Sequence, residues 1–217
     1  MATGADETST PASPAQDVVP QGHWLNAPNS VTIARLFLAI VLFWMIWYQG
    51  FWLSSAIVFV IAALTDALDG YLARKYGQVT VLGRILDPFV DKFIICGAFV
   101  FLLEKNGSDA SLPSGVNSWI VIIVIGREMF VSALRGILEK EGKDLSASFA
   151  GKAKMLLQCV AVTACLLSLS PKIREASFAK DFIFARDVIL WGAVVATVWS
   201  GMIYISRAYR LFTEPDA

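Results

Sequence analysis

Apolar positions run along this chain in long blocks, and polar positions gather in the gaps between them. From Leu36 to Thr65 no residue is charged. One helix over that stretch would reach about 45 Å at ~1.5 Å per residue, well past a hydrocarbon core of roughly 30 Å. The pattern predicts two helices instead, near Asn29–Trp47 and Phe51–Asp69, joined around Tyr48–Gly50. Four more are predicted near Val81–Leu103, Asn117–Leu138, Phe149–Ser170 and Arg186–Tyr209. The expected fold is an all-α integral membrane protein with six transmembrane helices.

Composition supports that class. Of 217 residues 56% are hydrophobic and seven are Trp, and the mean hydropathy is +0.61, too apolar for an ordinary soluble domain. Cys96, Cys159 and Cys165 fall inside apolar blocks without metal-ligand spacing, so neither a disulfide framework nor a zinc site is expected. His23, the only histidine, precedes the first span and reads as interfacial. Residues 1–20 are rich in Ala, Thr, Ser and Pro and contain no Lys or Arg. They lack the basic start and apolar centre of a signal peptide and read as a disordered cytoplasmic tail. Residues 21–210 then form the membrane domain and 211–217 a short C-terminal tail. Within "GHWLNAPN", Trp24 and Leu25 beside Pro28 suit either an interfacial helix or a lead-in turn.

Charge sets the expected orientation. With the N-terminus inside, eleven Lys and Arg fall on inner segments: Arg74, Lys75, Arg84, Lys92, Arg135, Lys140, Lys143, Lys152, Lys154, Arg207 and Arg210. Five fall outside: Lys105, Lys172, Arg174, Lys180 and Arg186. That asymmetry puts both termini in the cytoplasm, although four of the five outer charges cluster after Pro171.

Four aspartates stand where the second and third helices meet the inner face. Asp66 and Asp69 are three apart, and Asp87 and Asp91 four apart, so each pair shares a helical face. Gly70, Ala73 and Gly83 keep bulk away, so that a ligand or a second backbone can come close. Four unpaired carboxylates would repel one another and resist desolvation, and two divalent cations would balance them. Hard cations that prefer oxygen, Mg²⁺ or Mn²⁺, suit such a site. Arg74 adds a positive group for phosphate oxygens. Structural carboxylates and the proton relays of transporters are the competing readings of an acidic cluster in a membrane.

The full string, Asp66, Asp69-Gly70, Ala73-Arg74, eight residues, Gly83, Asp87 and Asp91, resembles the signature of the CDP-alcohol phosphotransferase family at every fixed position. The resemblance implies a six-helix membrane enzyme, usually a homodimer, that joins a CDP-linked lipid to an alcohol and releases CMP. It implies that Asp66, Asp69 and Asp87 hold two divalent cations on the diphosphate. Asp91 would also contact a metal and act as the base, and Gly70, Arg74 and Thr80 would contact the CDP moiety. Metals on a diphosphate stabilise the departing charge, and a nearby carboxylate takes the proton of a poorly nucleophilic alcohol.

Further segments resemble the branch of that family whose acceptor is sn-glycerol 3-phosphate. They are "NAPNSVTIARLFLA", with Asn26, Pro28, Asn29, Thr32 and Arg35, then "IGREMFVSALR", "GKAKMLLQ" and "WSGMIYI". The likeness runs from about Asn26 to Tyr209. Met155 stands where Thr is usual, and the proline common after the first-helix Arg is absent, with Ile40 near its place. By this resemblance CDP-diacylglycerol would bind at Pro28, Asn29, Thr32, Asp69, Gly70, Ala73, Arg74, Thr80 and Gly83. Glycerol 3-phosphate would meet Arg127, Arg135, Lys152 and Lys154, cations on the inner halves of helices four and five. An ion pair with Glu128 is the alternative role for Arg127. Membrane lipids are the expected surroundings, and no nucleic-acid partner is expected. A synthase using inositol phosphate, serine or phosphatidylglycerol is the nearest rival, an intramembrane prenyltransferase the next, and a proton-coupled transporter the rival of a different class.

Overall fold

The computed structural model describes residues 27–76, 81–108, 114–141 and 149–213. Among them are seven helices and no strand: α1 (Ala27–Tyr48), α2 (Trp52–Tyr76), α3 (Val81–Ser108), α4 (Ser118–Lys140), α5 (Phe149–Ser168), the single turn α6 (Pro171–Arg174) and α7 (Ala179–Thr213). The tail at 1–20, most of the "GHWLNAPN" segment and Thr80 lie outside the described residues.

The charge-free block does divide into two helices. Between them Gln49 and Gly50 take positive φ, 65° and 98°, and the chain reverses. α4 begins where Asn117 accepts a hydrogen bond from the Ile120 amide at 3.0 Å, a side-chain cap on an otherwise orphan donor. The last helix starts earlier and ends later than its apolar stretch suggests. α7 has 35 residues, opens with Asp181 in its first turn, and runs through Thr213, into the segment expected as a tail.

α7 packs most extensively on α5 and also on α4; α1 packs on α2 and α3; and α2, α3 and α5 join the two groups. The core holds Leu42, Ile46, Phe59, Phe99, Leu102, Ile120, Leu166 and Leu190, each at most 1% exposed. At Gly97 an added Cβ would meet the Phe43 ring at 2.2 Å, so glycine is what lets α1 lie this close to α3. The ring stacks on Phe101 at 5.0 Å and meets Phe93 edge-on at 5.4 Å.

Large apolar side chains also cover the outside. Phe37, Trp44, Leu64, Trp119, Leu156, Phe184, Val195 and Trp199 are all more than half exposed, an arrangement suited to lipid rather than water. Among the described residues, three helical stretches are long and apolar enough to cross a membrane, Ser30–Tyr48, Ala150–Ser168 and Ala179–Leu211, and Trp52–Thr65 is a shorter apolar one. With 28 and 23 residues, α3 and α4 have the length as well, but they carry the charges of the candidate site. The six-span count therefore goes beyond what length and apolarity alone establish.

Candidate active site

Thr32 and Arg35 lie one turn apart on α1, and both reach the third-helix aspartates. The Thr32 hydroxyl donates to Asp87 Oδ1. Arg35 Nη1 donates to Asp91 Oδ1 at 2.7 Å, and Nη2 lies 3.9 Å from Asp87 Oδ1. Arg35 is 1% exposed, whereas the side chains of Asp87 and Asp91 are 45% and 27% exposed. One buried cation thus faces two half-open carboxylates spaced one turn apart, with Pro88 between them in the helix. Asp66, Asp69, Gly70, Ala73 and Arg74 lie in the last half of α2, Gly83 in the first turn of α3, and Pro28 and Asn29 in the first turn of α1. The side chains of these residues are outside what the structure describes.

Arg35 is the side chain of this cluster that the sequence reading did not place in the site. Its signal was available: it is the only charge between Ser30 and Thr65. An ionisable group inside an apolar span calls for a named partner. Here the partners are Asp91 and Asp87.

A second cluster forms where α4, α5 and α7 converge. Glu128, 7% exposed, accepts from Lys154 Nζ and, at 3.3 and 3.4 Å, from Arg127 Nη1. Arg127 Nη2 donates to Ser200 Oγ at 2.9 Å, and an added Cβ on Gly201 would meet Arg127 Cγ at 3.3 Å. Behind it Gln158 Nε2 donates to Thr197 Oγ1 at 3.0 Å, a fully buried polar link between α5 and α7. Arg135 Nη2 donates to the Tyr204 hydroxyl at 3.2 Å.

These elements enclose a cleft of about 560 Å³ whose polar lining includes Lys92, Arg127, Glu128, Arg135, Glu139 and Lys152. Pro88 of α3 and Met155 of α5 also line it, so it opens beside the helix that bears Asp87 and Asp91. Three of the four cations expected at an acceptor site, Arg127, Arg135 and Lys152, are brought together there. Lys154 is not: it is 5% exposed, and its ammonium is committed to Glu128. The expected ion pair of Arg127 with Glu128 is present as well, and Arg127 still lines the cleft.

Asp87 and Asp91 are hard oxygen donors at helical i, i+4 spacing, partly open to solvent, and they fit a divalent cation of the Mg²⁺ or Mn²⁺ type. A cation there would share with Arg35 the task of offsetting two carboxylates.

Residues 25–199 match the family model described as CDP-alcohol phosphatidyltransferase. The chain is 38% identical over 200 residues to the CDP-diacylglycerol–glycerol-3-phosphate 3-phosphatidyltransferase of Bacillus subtilis, covering 85% of this chain and 96% of that one. It is 33% identical over 190 residues to the protein of the same name from Rickettsia bellii, covering 86% and 97%. It is 31% identical over 190 residues to the probable phosphatidylglycerophosphate synthase of Mycobacterium tuberculosis, covering 85% and 82%.

Proposed function

The chain belongs to the CDP-alcohol phosphatidyltransferase family, and from that premise we propose that it makes phosphatidylglycerol phosphate. It transfers the phosphatidyl group of CDP-diacylglycerol to sn-glycerol 3-phosphate and releases CMP. The observation that carries the reading is the meeting of two unlike sites: a cleft lined by Arg127, Arg135 and Lys152 opens beside the helix of Asp87 and Asp91. A phosphorylated acceptor needs the first, and a metal-bound diphosphate the second.

Divalent metal ions are general to this family. Bound at the aspartates, such ions would neutralise the diphosphate and stabilise the charge that leaves with CMP. Asp66, Asp69, Asp87 and Asp91 would hold them. In the transfer itself, the 1-hydroxyl oxygen of glycerol 3-phosphate attacks the lipid-side phosphorus. A new P–O bond forms there, the bond from that phosphorus to the CMP oxygen breaks, and CMP keeps the electron pair. Asp91 receives the hydroxyl proton. Arg35 holds the Asp91 carboxylate toward α1 and limits its rotation. Arg127, Arg135 and Lys152 fix the acceptor phosphate, which turns a bimolecular encounter into an oriented one. Arg74, Thr80, Gly70, Ala73, Gly83, Pro28, Asn29 and Thr32 belong in this reading to the CDP-diacylglycerol side.

Both termini and the active site face the cytoplasm in this reading, as the Lys and Arg asymmetry favours. The enzyme is proposed to work as a homodimer, which mass measurement in detergent checks. The function is tested with purified protein, CDP-diacylglycerol, Mg²⁺ or Mn²⁺ and a panel of acceptors. CMP release that depends on sn-glycerol 3-phosphate supports it. Turnover with inositol phosphate or serine alone would reassign the acceptor, and no CMP with any acceptor would favour a transporter.

A further inference from the structure

We propose that Tyr204 is the positioning residue of the acceptor cleft, holding Arg127 and Arg135 as a paired receptor for a phosphate monoester. The proposal rests on the reading of that cleft as the acceptor site. The two arginines are eight residues apart on α4, about two turns, so their stems leave the same side of the helix. Left alone, two long cations at that spacing would swing apart. Instead both guanidiniums lie against one ring, with their central carbons 5.5 Å (Arg127) and 5.8 Å (Arg135) from the Tyr204 centroid. Each gains from the negative face of the π-system. The phenolic oxygen also accepts from Arg135 Nη2 at 3.2 Å.

The ring is well placed to act as a template because it cannot move far. Tyr204 is 2% exposed and packs with Val131, the α4 residue midway between the two arginines, and with Leu138 and Ala208. Arg127 is held on its other side by Glu128 and Ser200, and its buried Nε has no hydrogen-bond partner among the described residues. Both arginines line the cleft. Two guanidiniums fixed in advance offer several N–H donors to the oxygens of a phosphate dianion, with little ordering left to do on binding. The ligand class is the phosphate ester of a small polyol. Neither the nucleotide nor the acyl chains would touch this ring.

The test is a two-substrate kinetic comparison of wild type, Tyr204→Leu and Tyr204→Phe, each as full-length protein eluting as a single species in detergent. Tyr204→Leu is expected to raise KM for sn-glycerol 3-phosphate roughly tenfold or more, with KM for CDP-diacylglycerol within about twofold. Tyr204→Phe keeps the ring under both guanidiniums and loses only the hydroxyl that accepts from Arg135 Nη2, so most of the affinity should return, leaving KM up about threefold. Should the Leu variant fail to fold, the Phe variant decides alone, by a rise confined to glycerol 3-phosphate. The proposal is overturned if glycerol 3-phosphate KM is unchanged in the folded variants, if both KM values rise together, or if Phe is as poor as Leu. Wild type that is inactive with glycerol 3-phosphate would instead overturn the proposed function, a distinguishable failure.

Discussion

Arg35 Nη1 donates to Asp91 Oδ1 at 2.7 Å, joining α1 to α3 across 56 residues of sequence. The guanidinium is almost wholly buried while the carboxylate is 27% exposed. The pair is therefore anchored inside the bundle at Arg35 and partly open at Asp91. Taking a charge out of water is expensive unless it is paired, and the cost of breaking the pair falls mainly on the deeper member.

Two replacements of Asp91 should separate these roles. Asp91→Asn keeps an oxygen for Arg35 but removes the proposed base, so kcat should fall roughly 10²–10⁴-fold, with CDP-diacylglycerol binding largely retained. Asp91→Leu removes the acceptor from the buried guanidinium and should cost about 2–4 kcal/mol of stability. Thermal unfolding in detergent and lipid-nucleotide binding are measured beside turnover. A collapse of CDP-diacylglycerol affinity in Asp91→Asn would make Asp91 primarily a metal ligand.

Asp69→Asn and Asp87→Asn should fold and insert but lose cation-dependent turnover. Each lowers the repulsion within the metal-free cluster and leaves a bound cation under-coordinated. In Asp87→Asn the amide oxygen can still accept from Thr32. A Mg²⁺ and Mn²⁺ titration of activity checks this, and near-normal rates at low Mg²⁺ would remove these residues from the metal site.

Lys152 and Lys154 should behave oppositely although a single residue separates them. Lys152→Ala is expected to raise KM for glycerol 3-phosphate about tenfold or more with little loss of stability. Lys154→Ala leaves Glu128 buried beside Arg127 alone and should cost about 2–3 kcal/mol. Glu128→Gln in the Lys154→Ala background should recover part of that loss, so a double-mutant cycle on thermal stability measures the coupling.

How far the sequence could be read depended on whether one residue type outweighed its neighbours. The turn at Gln49–Gly50 was legible because 30 uncharged residues from Leu36 to Thr65 cannot form one span. The start of α7 was not, because Lys180, Asp181, Arg186 and Asp187 interrupt the apolar stretch there. Arg186 is nonetheless 5% exposed, donating to Ser168 Oγ at 3.1 Å and to Asp187 at 2.7 Å, a tertiary arrangement that hydropathy does not encode. The spacing of Asp87 and Asp91 put both on one helical face; that this face meets Thr32 and Arg35 of α1 was not legible from it. Lys152 and Lys154 were assigned together on charge, yet positions two apart on a helix point to nearly opposite sides. Helical geometry alone could have separated them. Tyr204 sat inside "WSGMIYI" without any role, because its partners come from another helix.

The central claim is that two unlike pockets meet at one reaction centre, a nucleotide side carried by α2 and α3 and an acceptor side built from α4, α5 and α7. The most direct measurement is a two-substrate kinetic matrix on Arg135→Ala and Arg74→Ala. Arg135→Ala should raise KM for sn-glycerol 3-phosphate strongly and that for CDP-diacylglycerol little, and Arg74→Ala should show the reverse bias. Equal effects of the two variants on both substrates would contradict the account.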